Sequence, residues 1–78
     1  MQTETEVVEA ILRELEKARR KFPMWPVYSV HAAAIVCEES GELIRAALQH
    51  SDEGGELAAC DKEAIQTAAM CVRFLLRR

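Results

Sequence analysis

The chain has 78 residues, which suits a single domain over 1–78 with a small core, because a chain of this length buries only about 60% of its unfolded surface. Its 13 acidic residues outnumber its 10 basic ones, so no excess of positive charge favours a nucleic acid polymer as partner. A core this small needs support, and we expect a homo-oligomer, either a dimer or a tetramer. The acidic N-terminus is unlike a signal peptide and no apolar stretch approaches about 18 residues, which predicts a cytoplasmic protein without a membrane partner.

The first predicted helix runs from about Glu4 to Lys21, where apolar residues recur at helical spacing. Thr3 and Glu6 have the spacing of a capping box, which satisfies backbone N–H groups at a helix start, and Thr5 is a nearby alternative cap. Because the apolar residues form one stripe, we expect this helix to pack against the rest of the domain.

A proline-containing segment, Phe22-Pro23-Met24-Trp25-Pro26, follows the first helix. Two prolines three residues apart forbid a continuous helix and favour an extended chain. Trp25 is the only tryptophan and has two compatible interpretations. It is either a hydrophobic plug over one end of the helices or a wall of a pocket on which a nucleotide base stacks.

Two further helices complete an all-α pattern without any strand-like alternation. Ser29 is a plausible N-cap for a second helix over residues 30–50, and a polar, glycine-containing turn follows it. The third helix begins either near Glu56 or at Lys62, with Asp61 as its N-cap. The three cysteines are expected to be small buried side chains rather than parts of a disulfide or a zinc site. They are Cys37, Cys60 and Cys71.

Three carboxylates lie within one turn in the middle of the second predicted helix: Glu38, Glu39 and Glu42. Like charges at this spacing repel each other by a few tenths of a kcal/mol per pair, a cost that a divalent cation would reverse. Carboxylate oxygens are hard ligands and favour Mg²⁺, with Mn²⁺ as an alternative. Gly41 costs the helix about 1 kcal/mol relative to alanine, which indicates a close helix–helix approach beside the acids.

The third helix carries a second pair of possible ligands. Glu63 and Gln66 are three residues apart, so they share one helical face. Antiparallel packing of the two helices would set this pair opposite Glu39 and Glu42. The amide oxygen of Gln66 can ligate a metal, although it brings no charge. Four oxygen-bearing side chains would then surround one or two cations.

From about Phe22 onward the chain resembles the MazG-like nucleoside triphosphate pyrophosphohydrolases, an all-α group related to dimeric dUTP pyrophosphatases. The mark of this family is EExxE on one helix and ExxD on the next. Here the motifs stand as Glu38-Glu39-Ser40-Gly41-Glu42 and Glu63-Ala64-Ile65-Gln66, with Gln in place of the family's Asp. The segments His31-Ala-Ala-Ala-Ile-Val-Cys and Gln66-Thr-Ala-Ala-Met-Cys-Val-Arg73-Phe-Leu also look like the short members.

The resemblance implies Mg²⁺-dependent hydrolysis of nucleoside or deoxynucleoside triphosphates to monophosphate and pyrophosphate. It implies metal binding by Glu39, Glu42 and Glu63, with Gln66 in the place of the Asp ligand, and we expect Glu38 or Glu39 to accept the proton of the attacking water. The family has a fourth helix and works as dimers or tetramers. We therefore expect an antiparallel three-helix unit that completes a four-helix-bundle-type core by oligomerisation.

Four further residues are candidates for substrate binding, and each has a structural alternative. Arg73 shares a face with Gln66 and would contact phosphate, or else extend along the surface. Arg45 would assist it, or form an ion pair with Glu42. His31 would contact base or phosphate, or help to start the helix. The fourth candidate is Trp25, as the base-stacking wall.

The sequence is also compatible with two other functions. One is a non-catalytic nucleotide or metal binder, which the substitution of Gln66 for an acid favours. The other is a helical interaction module in which the acidic residues are merely a solvated surface.

Overall fold

The computed structural model describes residues 3–77 and contains three helices and no strand in that range. These are α1 (Glu4–Lys21), α2 (Ser29–Asp52) and α3 (Leu57–Leu76). The all-α prediction is therefore confirmed, and the extended segment between α1 and α2 contains both prolines, as expected.

The first residues of the three helices show which of the predicted N-caps are formed. The hydroxyl oxygen of Thr3 accepts a hydrogen bond from the backbone N–H of Glu6 at 3.1 Å, which confirms it as the N-cap of α1. The prediction for Ser29 was wrong, because α2 already includes Ser29 and its cap is Tyr28, which makes no side-chain capping bond. The hydroxyl of Ser29 instead accepts a hydrogen bond from Arg77 at 2.8 Å. For α3, the earlier of the two predicted starts is confirmed, with Glu56 as the N-cap.

Helices α2 and α3 form an antiparallel hairpin. The contact between Ser29 and Arg77 joins the start of α2 to the end of α3. Between the helices, Gly54 has φ +74°, a conformation that glycine adopts without a steric penalty. Gly55 lies so close to the end of α2 that a Cβ atom there would be 3.0 Å from the carbonyl carbon of Gln49. These two glycines make the tight reversal possible.

Helix α1 packs on α3, and within residues 3–77 its backbone makes no close approach to α2. It runs parallel to α3: Ala10 lines the same small cavity as Ala58, while Ala18, two turns later, meets Arg73 near the end of α3. Helix α3 is therefore the central helix, and a groove is left between α1 and α2.

The buried apolar core is small and consists mainly of alanines. Many larger apolar side chains are exposed, so the single chain leaves much apolar surface uncovered. The described part of the chain includes no helix that is both long enough and apolar enough to span a membrane. The buried apolar residues are Ala10, Leu15, Ala32, Ala46 and Ala69. The exposed large ones include Val8, Leu12, Val30, Ile44, Leu48, Leu57, Leu75 and Leu76.

Two expectations about small residues in α2 and α3 are corrected. Cys37 and Cys71 are exposed and Cys60 is half-buried, so the predicted burial fails for the first two, although all three are free thiols as expected. A Cβ atom added at Gly41 would meet nothing within 4 Å. The predicted close helix approach at Gly41 is therefore absent within this chain, because the residue lies on the side of α2 that faces away from its neighbours.

Candidate metal centre and adjoining groove

The structure brings three of the predicted ligands together. One carboxylate oxygen from each of Glu39, Glu42 and Glu63 can be chosen so that all three lie within 4.8 Å of one another. The antiparallel hairpin is the cause, because it sets the middle of α2 opposite the first half of α3. Such a separation is within the span of a single divalent cation with oxygen ligands at about 2.0–2.6 Å.

The register of α2 explains why Glu39 points toward α3. Ala32 and Ala46 are both buried, and Glu39 lies midway between them at seven-residue intervals, on the same side of the helix. The two alanines allow the helices to approach closely. This packing holds Glu39 in a half-buried position at the contact with α3.

Two of the carboxylates have oxygens that the chain itself does not satisfy. Oε2 of Glu39 and Oε2 of Glu63 are buried and have no hydrogen-bond partner among the described residues. A buried carboxylate oxygen without a partner is energetically costly. Glu42 is exposed, so the cluster is open to solvent on one side. The site is therefore accessible while part of its charge is uncompensated.

The electrostatics of the cluster follow from this geometry. Burial, followed by the repulsion of Glu42 and Glu63, raises the pKa of Glu39 above its usual value, and Glu38 and Glu14 add to the shift. Burial and then Glu42 likewise raise the pKa of Glu63, which Lys62 partly offsets. Both shifts indicate a site that would take up a cation or a proton. Three carboxylates without a histidine or thiol suit a hard ion such as Mg²⁺ or Mn²⁺.

A groove of about 880 Å³ leads away from the cluster. Glu38 and Glu39 of α2 line one side of it, and Lys17 and Lys21 of α1 line the other. Its volume lies in the range of small-molecule sites. The floor belongs to α3, and the far end belongs to the proline-containing segment. The residues of α3 are Lys62, Gln66, Met70 and Arg73. The residues of the proline-containing segment are Phe22, Met24, Trp25 and Pro26.

The predicted substrate-binding residues are divided between the groove and the outer surface. Trp25 and Arg73 line the groove, and Trp25 is half-buried, in agreement with the plug interpretation. Gln66, which was predicted as a metal ligand, also lines the groove. The indole Nε1 of Trp25 is buried without a hydrogen-bond partner among the described residues. His31 and Arg45 are exposed on α2 and are not among the residues that line the groove.

Arg73 has a structural role that the sequence did not predict. Its side chain is buried, and its guanidinium donates hydrogen bonds to the carbonyl oxygens of Ala18, Phe22 and Met24. It also stacks over the ring of Trp25, 4.9 Å from the centroid. Burial and the nearby Arg19 lower the pKa of Arg73 from its usual value. A cation at this position satisfies carbonyls at the C-terminus of α1 and anchors the extended segment.

Sequence reasoning missed the part of the groove that α1 contributes. Glu14, Lys17 and Lys21 recur at intervals of three and four residues beside the apolar stripe. That spacing was the available signal, since it places all three on one face. On the outer surface of α1, Glu16 forms an ion pair with Arg19 at 2.8 Å.

Comparison with known proteins adds no assignment, because no family model, no curated protein and no solved structure matches this chain.

Proposed function

We propose that the protein is a Mg²⁺-dependent pyrophosphohydrolase of nucleoside or deoxynucleoside triphosphates. The observation that carries the proposal is the convergence of Glu39, Glu42 and Glu63, with two buried oxygens unpartnered, beside a groove of ligand size. Uncompensated negative charge would repel a triphosphate, so the arrangement makes chemical sense with a cation bound. Mn²⁺ would also suit these ligands.

The acidic residues have separate tasks in this proposal. Glu39, Glu42 and Glu63 would hold the metal, with Gln66 nearby on the same face as Glu63. When bound, Mg²⁺ would neutralise charge on the phosphate oxygens. Glu38 is exposed on the groove side of α2 and would accept a proton from water as the water oxygen attacks phosphorus. The bond to the leaving pyrophosphate breaks as the new P–O bond forms, which yields the monophosphate.

The groove supports a nucleotide as the ligand because its walls differ in character. Lys17 and Lys21 present positive charge across from the acids, and Lys62 lies on the floor between them. These side chains would bind the phosphate oxygens that the metal does not reach. Trp25 and Met24, at the far end, would contact the base; Arg73 covers one face of the indole, which leaves its edge and opposite face for stacking.

The proposal also includes the assembly and its setting. The exposed apolar surface and the alanine-rich core support a homo-oligomer, dimer or tetramer, in which further helices complete a four-helix-bundle-type core. A triphosphate substrate is in keeping with a cytoplasmic location. The relationship to the MazG-like enzymes rests on the EExxE motif and on the Glu63–Gln66 pair that faces it.

The decisive experiment is a panel of nucleoside and deoxynucleoside triphosphates with Mg²⁺, read by release of pyrophosphate. We expect turnover with at least one member of the panel. Glu39→Gln should abolish that turnover while circular dichroism shows an intact fold. The matched control is Glu9→Gln, an exposed α1 residue far along the chain from the cluster, which should keep full activity. Absence of pyrophosphate release from every nucleotide, with Mg²⁺ or with Mn²⁺, would refute the proposal.

Gln66 favours a second candidate, a protein that binds a nucleotide or a metal without hydrolysing it. An amide at this position leaves the cluster with three carboxylates rather than four. Calorimetry would then show nucleotide binding without pyrophosphate release. In that case Gln66→Asp, which adds the missing charge, should tighten Mg²⁺ binding about tenfold and create measurable turnover. Gln49→Asp, at an exposed site near the end of α2, is the control.

A further inference from the structure

A second face of α2 is apolar and uncovered. The residues of this face, which we call the outward row, are spaced alternately four and three residues apart. This is the spacing of the a and d positions of a coiled coil. Every member of the row is exposed, and Val30, Ile44 and Leu48 are exposed by 84%, 62% and 54%. The row is distinct from the side that packs on α3, which carries the buried Ala32 and Ala46. It consists of Val30, Ala34, Cys37, Gly41, Ile44 and Leu48.

Nothing within the described chain accounts for this row. Helix α1 packs on α3 and leaves α2 free on this side, and a Cβ atom at Gly41 would meet no atom within 4 Å. Glycine in the middle of a helix is destabilising, and here the fold of one chain provides no reason for it. A helix crossing close to Gly41 would supply that reason.

The row is complementary to itself when a second copy runs antiparallel. With one register, each small residue faces a larger or equally small one: Ala34 faces Ile44, and Cys37 faces Gly41. The outer layer pairs Val30 with Leu48. One register produces all three pairs, because the two residue numbers of each pair have their midpoint at Glu39. Alternation of small and large residues across the layers allows the two helices to interdigitate.

The charges beside the row agree with the same register. Glu38 and Arg45 flank the row on one side, both are exposed, and neither forms an ion pair within residues 3–77. In an antiparallel pair, flanking residues on this side meet their counterparts across the interface. In this register Glu38 lies about 3 Å along the axis from Glu38 of the second copy and about 7.5 Å from its Arg45. Because helical side chains lean toward the N-terminus, the two Glu38 side chains lean away from each other, each toward an Arg45, so the contact with Arg45 occurs twice.

We propose that a second copy of this chain binds the outward row of α2, antiparallel and about a two-fold axis at the level of Glu39. This isologous contact covers the exposed apolar residues of both copies. Because Glu38 also lines the groove, it brings Arg45 of the second copy to the rim of the groove. The inference does not depend on nucleotide hydrolysis, so its test needs no substrate.

The first test measures mass by sedimentation across a dilution series. We expect the protein to have twice the 8.8 kDa mass of one chain. Ile44→Asp would bury two charges at the contact and should weaken the dimer about a hundredfold or more. Leu12→Asp is the matched control, since Leu12 is comparably exposed, at 49%, but belongs to α1. A monomeric wild-type protein, or a Leu12→Asp variant that dissociates as readily as Ile44→Asp, would overturn the proposal.

The second test keeps the proposal falsifiable if Ile44→Asp fails to fold. In a background with all three cysteines replaced by alanine, Ala34→Cys together with Ile44→Cys should form a disulfide-linked dimer on oxidation. Each single variant should not, because in the proposed register its two copies would lie about 15 Å apart along the axis, beyond disulfide reach. Cross-linking by the single variants would show a parallel contact, and no cross-linking by the double variant would exclude this face.

Discussion

Two charged residues on α3, the buried Arg73 and the half-buried Glu63, differ in whether the chain satisfies their polar atoms. The guanidinium of Arg73 donates hydrogen bonds to three backbone carbonyls and lies over the ring of Trp25. Ten residues earlier, Oε2 of Glu63 is buried without a hydrogen-bond partner among the described residues. The carboxylate of Glu63 can lie with those of Glu42 and Glu39 within 4.8 Å of one another, and Lys62 offsets only part of the repulsion. The same helix therefore carries one charge that the fold satisfies and one that it leaves uncompensated.

This difference separates a structural charge from a candidate ligand. A buried charge that is fully hydrogen-bonded contributes to stability, and its removal leaves partners without bonds. A buried charge without partners destabilises the chain until a cation or a proton arrives. Arg73 therefore belongs to the scaffold that positions the extended segment, whereas Glu63 belongs to the candidate site. Three predictions test this comparison.

The largest effect is expected for Arg73→Met, which keeps the apolar bulk and removes the charge. Three carbonyls would lose their donor, so the free energy of unfolding should fall by about 3 kcal/mol. Chemical denaturation measures this change. Arg20→Met, at an exposed position of α1, should change it by less than about 0.5 kcal/mol. Equal effects of the two substitutions would show that the bonds of Arg73 contribute nothing.

A smaller effect of opposite sign is expected for Glu63→Gln without metal. The substitution removes repulsion with Glu42 and Glu39, so stability should rise by a few tenths of a kcal/mol. The rise in Tm that Mg²⁺ produces in the wild-type protein should disappear in this variant. Thermal unfolding with and without Mg²⁺ measures both, and Glu9→Gln should keep the metal response. A metal-free variant less stable than wild type would contradict this account of Glu63.

The smallest effect concerns pH. Because the pKa of Glu39 and of Glu63 is raised in the folded state, that state binds protons more tightly than the unfolded chain does. Their contribution to stability is therefore present below the usual value of 4.5 and is lost as pH rises through the raised values. Denaturation over this interval should show the loss without metal and a smaller loss with Mg²⁺. The control is the double variant Glu39→Gln with Glu63→Gln, which lacks both acids. The dependence of its stability on pH over the same interval is the background to subtract from that of the wild-type protein.

The helices were predictable because local chemistry decides them. The capping residues Thr3 and Glu6, the two prolines of the connecting segment and the glycines of the turn act within a few residues of where they stand. The failure at Ser29 has a non-local cause, since its hydroxyl accepts a hydrogen bond from Arg77, 48 residues away, instead of capping its own helix. Tertiary contact there took precedence over the sequence signal.

The acidic half of the candidate site was also predictable. The spacing of Glu39, Glu42 and Glu63 on two consecutive helices, joined by a short turn, is enough to bring them face to face. The cationic half was not, because its position depends on α1 packing parallel to α3 and leaving a groove open toward α2. The spacing of Lys17 and Lys21 places them on one face of α1, but it does not show that this face lies beside α2, so their part in the groove was not predicted.

The sequence by itself determined three helices, their connecting turns and a cluster of carboxylates, because each arises from spacing along one or two neighbouring segments. Only the tertiary structure decided that Arg73 is buried against carbonyls, that Gly41 faces outward and that α1 forms a wall of the groove. These features join residues far apart in the chain, and the balance of packing and desolvation that selects them exists only once the helices meet.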